Sequence, residues 1–346
     1  MPEFNKEDKM NNNEIAVSVI VCTYNRAESF KKFLESFFSQ DGKFPDCEFL
    51  IVDNNSTDNT RQVCEEYLKS DMIQVRYIHE KQQGLSYARN TSVKNARGKL
   101  LAFIDDDVVV DRKWLQMVRK LVDEYPEYIA MGGKVVPIWE KGKPPWAVFE
   151  GKYAIIQSVF PSHDYGNEVK PYPIRTQKNP MGACMMIRRE AFEKYGLFRT
   201  DLGVSGASLK TGGLHEDTEF IWRMLAHGEK ALYYPKAVVS HFVPESRSSK
   251  KYIKQWYFKS GASFTRMKHN YYDRQEYVRF FGIPRWLFKK FIKPAFWLLF
   301  AVNKEKRFFY HLRFYRLLGT LAEFFNHKYE MLKKKGSPPQ SIEEKP

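Results

Sequence analysis

Short apolar runs alternate with segments of helical periodicity along the first third of the chain. Residues 15–22 read IAVSVIVC, which is apolar and β-branched enough for a strand buried on both faces. Shorter runs of the same kind lie at residues 48–52, 74–79 and 99–104. Because helical patterns separate these runs, their order predicts a parallel sheet with right-handed crossovers.

Three helices are predicted between these strands. In the first, apolar residues repeat at the spacing of one helical face: Phe30, Phe33, Leu34, Phe37 and Phe38. Ser56 or Thr57 is expected to cap the second helix, which runs to about residue 68. The third covers residues 85–96.

The middle of the chain is less regular. Residues 140–180 are rich in Pro, Gly and Tyr, which predicts a segment dominated by loops. A short strand is predicted at 182–187, followed by helices at 189–195 and 216–227. Apolar bursts at 230–234 and 237–240 then lead to His241.

Composition places the chain among ordinary globular proteins, with a charge that points to an anionic partner. The formal net charge is +15 over 346 residues, which suits nucleic acid, anionic lipid or phosphorylated substrates. The four cysteines are scattered without metal-ligand spacing, as in a reduced, cytosolic protein. The N-terminus lacks a signal-peptide pattern, and no apolar run reaches the length of a membrane-spanning helix.

Polar clusters follow three of the predicted strands. They are Thr23-Tyr24-Asn25-Arg26, then Asp53-Asn54-Asn55, then Asp105-Asp106-Asp107. Ligands of parallel sheets bind beyond the carboxyl ends of the strands, so these clusters are the candidate binding residues.

Three adjacent aspartates are costly unless a cation compensates their charges. Hard oxygen ligands favour magnesium, manganese or calcium, with substrate phosphate completing the shell. The alternative is a solvated acidic loop. Arg89 could pair with a diphosphate or a surface carboxylate, and His241 could be a metal ligand or a packed histidine. The Glu216-Asp217 pair opens a helix, where its charges gain from the helix dipole in any case.

The ordered set of segments resembles the family-2 glycosyltransferases of GT-A fold, across roughly residues 15–245. The segments are VSVIVCTYNR, IVDNNSTDNT, GLSYARN, LLAFIDDD, MGACMMIRRE, GLHEDTEF and VVSH. The implied fold is a Rossmann-like mixed sheet flanked by helices. The implied activity is transfer of a sugar, with inversion, from a nucleotide donor (UDP by family frequency) to a hydroxyl acceptor, using Mn²⁺ or Mg²⁺.

The resemblance also implies a role for each candidate residue. Tyr24 and Asp53 would line the base pocket, and Arg89 would approach the phosphates. Four further residues would belong to the substrate-binding site: Thr23, Asn25, Arg26 and Asn55. Asp105 would face the ribose beside Asp106, while Asp107 and His241 would hold the metal. Asp217 matches the catalytic base, with Glu216 beside it. Gly182 and Ala183 would lie beneath the donor sugar or the acceptor.

Composition shifts after Pro244, and residues 246–335 interleave aromatic with basic residues. Segments 284–302 and 307–325 are predicted helices with one aromatic and one basic face. Such helices suit an anionic membrane interface, although they could instead pack on the catalytic domain. We therefore expect a catalytic domain at 15–245, a helical extension at 246–335, and disordered ends at 1–14 and 336–346.

The function expected from these features is glycan synthesis at the inner face of the plasma membrane, on a lipid-linked or polysaccharide acceptor. A nucleotidyl or phosphosugar transferase is an alternative, though the Glu216-Asp217 pair argues against it. A nucleic-acid-binding protein is another, but no recognised nucleic-acid motif is present and no nucleic-acid partner is expected. A non-catalytic membrane scaffold is the third.

Overall fold

The computed structural model describes residues 14–173, 178–204, 213–269, 278–280 and 283–336. The disorder predicted for the two chain ends falls, apart from residues 14 and 336, outside these ranges. By its contacts the chain divides into two compact units. Unit 1 comprises Met1–Pro145 with Ile156–Ser249, and unit 2 comprises Trp146–Ile155 with Lys250–Pro346.

Unit 1 contains nine strands and six helices among the residues described. The strands are β1 (Val17–Thr23), β2 (Cys47–Asp53), β3 (Gln74–His79), β4 (Leu100–Ile104), β5 (Val108–Val110), β6 (Ala130–Trp139), β7 (Lys170–Pro171), β8 (Cys184–Arg188) and β9 (Ala231–Val243). The helices are α1 (Ala27–Phe38), α2 (Thr60–Glu65), α3 (Leu85–Asn95), α4 (Trp114–Glu124), α5 (Arg189–Tyr195) and α6 (Glu216–Leu225).

All nine strands form one mixed sheet. Its order is β3-β2-β1-β4-β8-β6-β9-β5, with β7 paired to β9. The pairs of β1 with β2, β1 with β4 and β2 with β3 are parallel, as predicted. β8 runs antiparallel to both of its neighbours, and β5 runs antiparallel to β9. The mixed sheet flanked by helices is the GT-A type of fold expected from the resemblance.

The sheet separates two hydrophobic cores. Val17, Val19 and Val21 of β1 pack into the core that includes α1 and α4, whereas Ile20 points into the core that includes α3 and α6. This alternation confirms that β1 is buried on both faces. The layer order places the sheet between helices, which fixes its strand ends as a rigid platform.

Several local predictions need correction. The second helix is Thr60–Glu65, and Asp58, not Ser56 or Thr57, accepts the hydrogen bond of its first N–H at 3.0 Å. The two apolar bursts before His241 form the single strand β9. The helices predicted at 189–195 and 216–227 are confirmed as α5 and α6, the latter ending two residues earlier.

Unit 2 is mostly helical. It contains α7 (Lys250–Met267), α8 (Arg285–Phe300), α9 (Lys304–Gly336) and a two-stranded ribbon of β10 (Arg279–Phe280) with β11 (Ile283–Pro284). Glycines let α7 and α9 cross closely, because a Cβ on Gly261 would lie 1.9 Å from the carbonyl oxygen of Arg316. The helices predicted at 284–302 and 307–325 are confirmed, the second within a longer α9. Within the described chain, none of the helices combines the length and apolarity that crossing a bilayer requires.

Candidate active site

Three strand ends converge at one edge of the sheet. Thr23 at the end of β1 is in register with Asp53 at the end of β2, and Val21 of β1 pairs with Ile104 of β4. The polar segments that follow these strands therefore emerge side by side. This confirms the predicted placement of the three polar clusters at the carboxyl edge.

Left-handed backbone marks the same edge. Among the described residues, three non-glycine residues have positive φ: Asn25 at 49°, Asn55 at 66° and His215 at 71°. Asn25 and Asn55 follow β1 and β2, and His215 precedes α6. Such conformations cost free energy and concentrate at binding sites, where the surrounding fold holds them.

Asp105, Asp107 and His241 bring their ligand atoms within 4.8 Å of one another. His241 reaches the two aspartates because β5 pairs with β9, which puts Val108 opposite His241. Its Nε2 lies 3.0 Å from Asp107 Oδ1 and 3.6 Å from Asp105 Oδ2. Nδ1 lies 3.0 Å from the carbonyl oxygen of Phe242, so Nδ1–H donates to that oxygen and Nε2 faces the carboxylates.

The charges of this cluster are strongly coupled. Burial opposes a charged imidazole, but Asp107 and Asp105 outweigh it and raise the pKa of His241 to about 10. Burial likewise opposes the Asp107 carboxylate, yet His241, Arg26 and Arg247 hold its pKa well below the ordinary value. Burial raises the pKa of Asp106, with Arg26 opposing. With Nε2 protonated, the imidazolium offsets the charge of the adjacent aspartates, and a metal held by Nε2 would take the place of that proton.

Two arginines also offset the negative charge of the aspartates. Arg26 Nη1 donates to Asp106 Oδ1 at 2.6 Å and lies 3.2 Å from Asp107 Oδ2. Arg247 Nη2 lies 3.6 Å from the same oxygen of Asp107. Arg26 was predicted at the site, whereas Arg247 was missed because it belongs to a short 3₁₀ turn after β9, far along the chain.

The cluster opens into a cleft of about 220 Å³. Seven of the predicted site residues line this cleft: Thr23, Tyr24, Arg26, Asp105, Asp106, Asp107 and His241. Asn54, which belongs to the second predicted polar cluster, also lines it. The residues that sequence analysis missed are Cys22, Gln83, Leu85, Ala88, Val204 and Arg247. Leu85 and Ala88 line one face of α3, whose helical spacing could have indicated them.

Asp53 lies at the strand edge but outside the lining of this cleft. Its Oδ2 accepts from the Tyr77 hydroxyl at 2.6 Å, and its Oδ1 accepts from the Ser56 N–H at 2.9 Å. Asn54 takes the position at the cleft instead. Its Oδ1 accepts from the Gly84 N–H at 2.7 Å, which fixes the start of α3. Asn25 and Asn55 also lie outside the lining.

A second cluster connects α3 with α6. Arg89 is buried, donates from Nη1 to Glu216 Oε1 at 2.7 Å, and lies 3.8 Å from Asp105 Oδ1 through Nη2. Burial raises the pKa of Glu216 to about 7 against the opposing charge of Arg89, and Asp217 adds to the rise. The Arg89 side chain therefore joins the acidic cluster to the first turn of α6.

Asp217 is half-buried in the first turn of α6 and held by backbone donors. Its Oδ2 accepts from the Gly182 N–H at 2.9 Å, and its Oδ1 accepts from the Thr218 N–H at 2.6 Å. A Cβ on Gly182 would lie 2.7 Å from Arg89 Nη2 and 3.1 Å from Asp217 Oδ2, so a larger residue there would have to displace the buried Arg89 guanidinium. Ala183 is buried in the core next to it. Gly182, Ala183 and Asp217 do not line the cleft. Gly182 lies next to the Arg89 side chain, which reaches Asp105 at the cleft.

A mixed α/β sheet with an acid–histidine cluster at its strand ends is the arrangement expected of a GT-A type transferase. Residues 18–196, just over half of the chain, match the family described as Glycosyl transferase family 2. The chain belongs to that family and is a glycosyltransferase.

Two curated relatives and one solved structure are similar to the chain. The chain is 27% identical over 234 residues to a glucosyl-dolichyl phosphate glucuronosyltransferase of Haloferax volcanii, covering 67% of this chain and 71% of the relative. It is 25% identical over 265 residues to the succinoglycan biosynthesis protein ExoM of Rhizobium meliloti, covering 75% of this chain and 77% of that relative. The mannosyltransferase PcManGT of Pyrobaculum calidifontis, solved with GDP-Man and Mn²⁺, superposes with a TM-score of 0.48 at 19% identity, over 93% of this chain and 76% of that one.

Proposed function

We propose that the chain transfers a sugar, with inversion, from a nucleoside diphosphate donor to a hydroxyl acceptor, and that it does so with a divalent metal. The observation that carries this proposal is the 3.0 Å approach of His241 to Asp107 at the strand edge, with Asp105 beside them. A second feature supports it. Arg89 links that cluster to Glu216, the residue next to Asp217 in the first turn of α6.

The donor set fits manganese or magnesium. Two carboxylates and one imidazole are hard and borderline ligands of the kind that Mn²⁺ accepts, and carboxylates alone suit Mg²⁺. Asp105, Asp107 and His241 would hold the metal, and the Phe242 carbonyl would orient the imidazole from behind. The metal would supply a positive charge to offset the negative charge that develops on the departing diphosphate.

The residues of the chain supply the remaining steps. Asp217 would accept the proton of the acceptor hydroxyl while that oxygen bonds to the anomeric carbon and the diphosphate leaves with the electron pair of the broken bond. A single displacement of this kind inverts the anomeric centre. Tyr24 and Thr23 line the cleft where a nucleoside would lie. The cationic Arg26 and Arg247 stand beside the carboxylates that the metal would engage.

The donor nucleotide is proposed as UDP, and the acceptor as a lipid-linked or polysaccharide glycan. Support for the acceptor comes from the names of two relatives, one acting on a glucosyl-dolichyl phosphate and one acting in succinoglycan biosynthesis. Both are similar to this chain over about two thirds or more of its length.

Calorimetric titration of UDP, GDP and dTDP, with and without Mn²⁺, tests the proposal. We expect one nucleotide to bind with an affinity that rises at least about tenfold when Mn²⁺ is added. Asp107→Asn should remove that metal effect, while Asp111→Asn, which changes an exposed aspartate, should keep it. A folded protein that binds none of the three, with or without Mn²⁺, would contradict the proposed donor class.

A further inference from the structure

Helix α8 is apolar on two opposite faces. Leu287 and Pro294 are buried, and Phe291 contacts Phe314 of α9 with 5.4 Å between ring centroids. The opposite face is apolar too, with an exposed stripe of Phe288, Ile292, Phe296, Leu299 and Phe300. Ile292 and Leu299 are 67% and 73% exposed, and with their neighbours they form one contiguous apolar patch.

The spacing of this exposed stripe is that of one helical face. Its members follow Phe288 by four, eight, eleven and twelve positions, which spans about 120° of the helix surface at 100° per residue. A contiguous apolar face that the helix does not bury in its own domain marks an interaction surface.

Charge around the stripe is of one sign. Lys289, Lys290 and Lys293 are exposed beside it, and no Asp or Glu occurs from residue 278 to residue 303. Two copies of this face brought together would add positive charge without any acidic partner from residues 278–303, which disfavours a symmetric dimer. An anionic lipid surface offers both an apolar interior for the stripe and negative headgroups for the lysines.

The length of α8 indicates how it would lie. Its 16 residues span about 24 Å, less than the roughly 30 Å hydrocarbon thickness of a bilayer. The C-terminal half of the stripe carries no charge, whereas the lysines belong to the N-terminal half. The helix suits an orientation along the interface, with the stripe facing the acyl chains.

We propose that the exposed stripe of α8 docks on an anionic membrane surface, with Ile292, Phe296 and Leu299 entering the interface and Lys289, Lys290 and Lys293 contacting the headgroups. No residue of this stripe lines the cleft of the transferase site, and the proposal does not rest on the proposed donor or metal.

Vesicle flotation of the full-length protein tests the docking. We compare vesicles of phosphatidylcholine mixed with phosphatidylglycerol and vesicles of phosphatidylcholine alone. The wild type should float with the mixed vesicles and bind the neutral ones at least about tenfold more weakly. Ile292→Ser/Phe296→Ser/Leu299→Ser should lower binding to the mixed vesicles by about a hundredfold. Lys289→Glu/Lys290→Glu/Lys293→Glu should lose the preference for anionic lipid.

Controls separate docking from unfolding and from self-association. Leu68→Ser alters an exposed leucine of unit 1 and should bind like the wild type. Leu299→Ser alone, at a highly exposed position that the fold does not need, should show a smaller loss in the same direction if the triple variant fails to fold. Equal flotation of the wild type and Leu299→Ser, or a wild type that does not float, would overturn the proposal. So would a wild-type dimer in sedimentation that the triple variant converts to monomer without any change in flotation.

Discussion

Arg89 Nη1 donates to Glu216 Oε1 at 2.7 Å, joining helices that are 127 residues apart in the sequence. Both side chains are almost completely buried, with 5% and 7% of their surfaces exposed. A buried ion pair does not add much stability over an apolar pair, but removing one partner leaves a charge without compensation. This pair fixes α6 against α3, and with it the first turn that carries Asp217.

The first prediction concerns the coupling of these two residues. Arg89→Met should lower the free energy of unfolding by about 3–5 kcal/mol, because it leaves Glu216 buried without its partner. The double variant Arg89→Met/Glu216→Leu should lose less than the sum of the single variants. Urea unfolding of the four proteins gives the interaction energy, expected at about 1.5 kcal/mol or more in favour of the pair. Strictly additive losses would mean that the contact does not stabilise the fold.

The second prediction addresses the proposed base. Asp217→Asn should lower the transfer rate by about 10²–10⁴-fold, since the amide cannot take the acceptor proton. Nucleotide binding should change by less than about threefold, because Asp217 lies outside the lining of the cleft. Steady-state kinetics and calorimetry on the same preparations separate the two effects.

A matched control exists on the same helix. Glu219 ion-pairs with Arg223 on α6, so Glu219→Gln removes an acid from the helix without touching the Gly182 contact of Asp217. It should keep transfer within about threefold of the wild type. If Glu219→Gln lost as much activity as Asp217→Asn, general loss of helix charge would explain both results, and the base assignment would fail.

The third prediction concerns the proposed metal ligands. His241→Ala should weaken Mn²⁺ binding by more than the 10–100-fold typical of residues that only orient a ligand, because His241 would be a direct ligand. The free Mn²⁺ signal in electron paramagnetic resonance measures this without any nucleotide. Asp111→Asn changes an exposed aspartate whose Oδ1 accepts from the Lys113 N–H, and it should leave Mn²⁺ binding unchanged. Equal affinity in His241→Ala and the wild type would exclude His241 from the metal site.

β1, β2 and β4 could be predicted because they are largely buried and carry a continuous apolar signal. The apolar runs at 182–187, 230–234 and 237–240 likewise indicated β8 and parts of β9. β6 could not be predicted, because it contains Gly132, Gly133 and Pro137, which argue against a strand in sequence. In the structure Gly133 is needed, since a Cβ there would lie 2.3 Å from Cys184 Sγ and 2.4 Å from the Ala237 carbonyl oxygen. Gly133 is explained by the close approach of β6 to β8 and β9, which the sequence alone does not reveal.

Some residues of the candidate site could likewise be predicted from the sequence, and others could not. The acidic run and Thr23-Tyr24 could be placed from the strand ends alone, because their position depends on the topology of neighbouring strands. Arg247 and the Tyr77 contact of Asp53 could not, because each depends on side chains that meet from distant segments. The base-pocket role expected for Asp53 stays a prediction. Its two hydrogen bonds to Tyr77 and Ser56 give it a defined structural role at the end of β2.

The last prediction is a pH dependence of stability from His163. This side chain is buried beside the Tyr172 hydroxyl, and burial lowers its pKa from 6.5 to about 4, with Asp217 and Asp164 opposing. In the unfolded chain the imidazole takes a proton near pH 6.5, whereas in the folded chain it stays neutral until about pH 4. Protons therefore favour the unfolded state across that window, and the stability present above pH 6.5 is lost as the pH falls through it.

A difference of about 2.5 in pKa corresponds to about 3 kcal/mol lost between pH 6.5 and pH 4. His163→Gln keeps a hydrogen-bonding side chain but removes the titration, so its unfolding free energy should fall less steeply over this range. Urea unfolding of both proteins at several pH values gives the slope of the unfolding free energy against pH for each. Because both proteins carry the same carboxylates, the contribution of these groups cancels in the difference between the two slopes. His79→Gln, at an exposed histidine, should follow the wild type. Parallel curves for the wild type and His163→Gln would mean that His163 is protonated as readily in the folded chain as in the unfolded one.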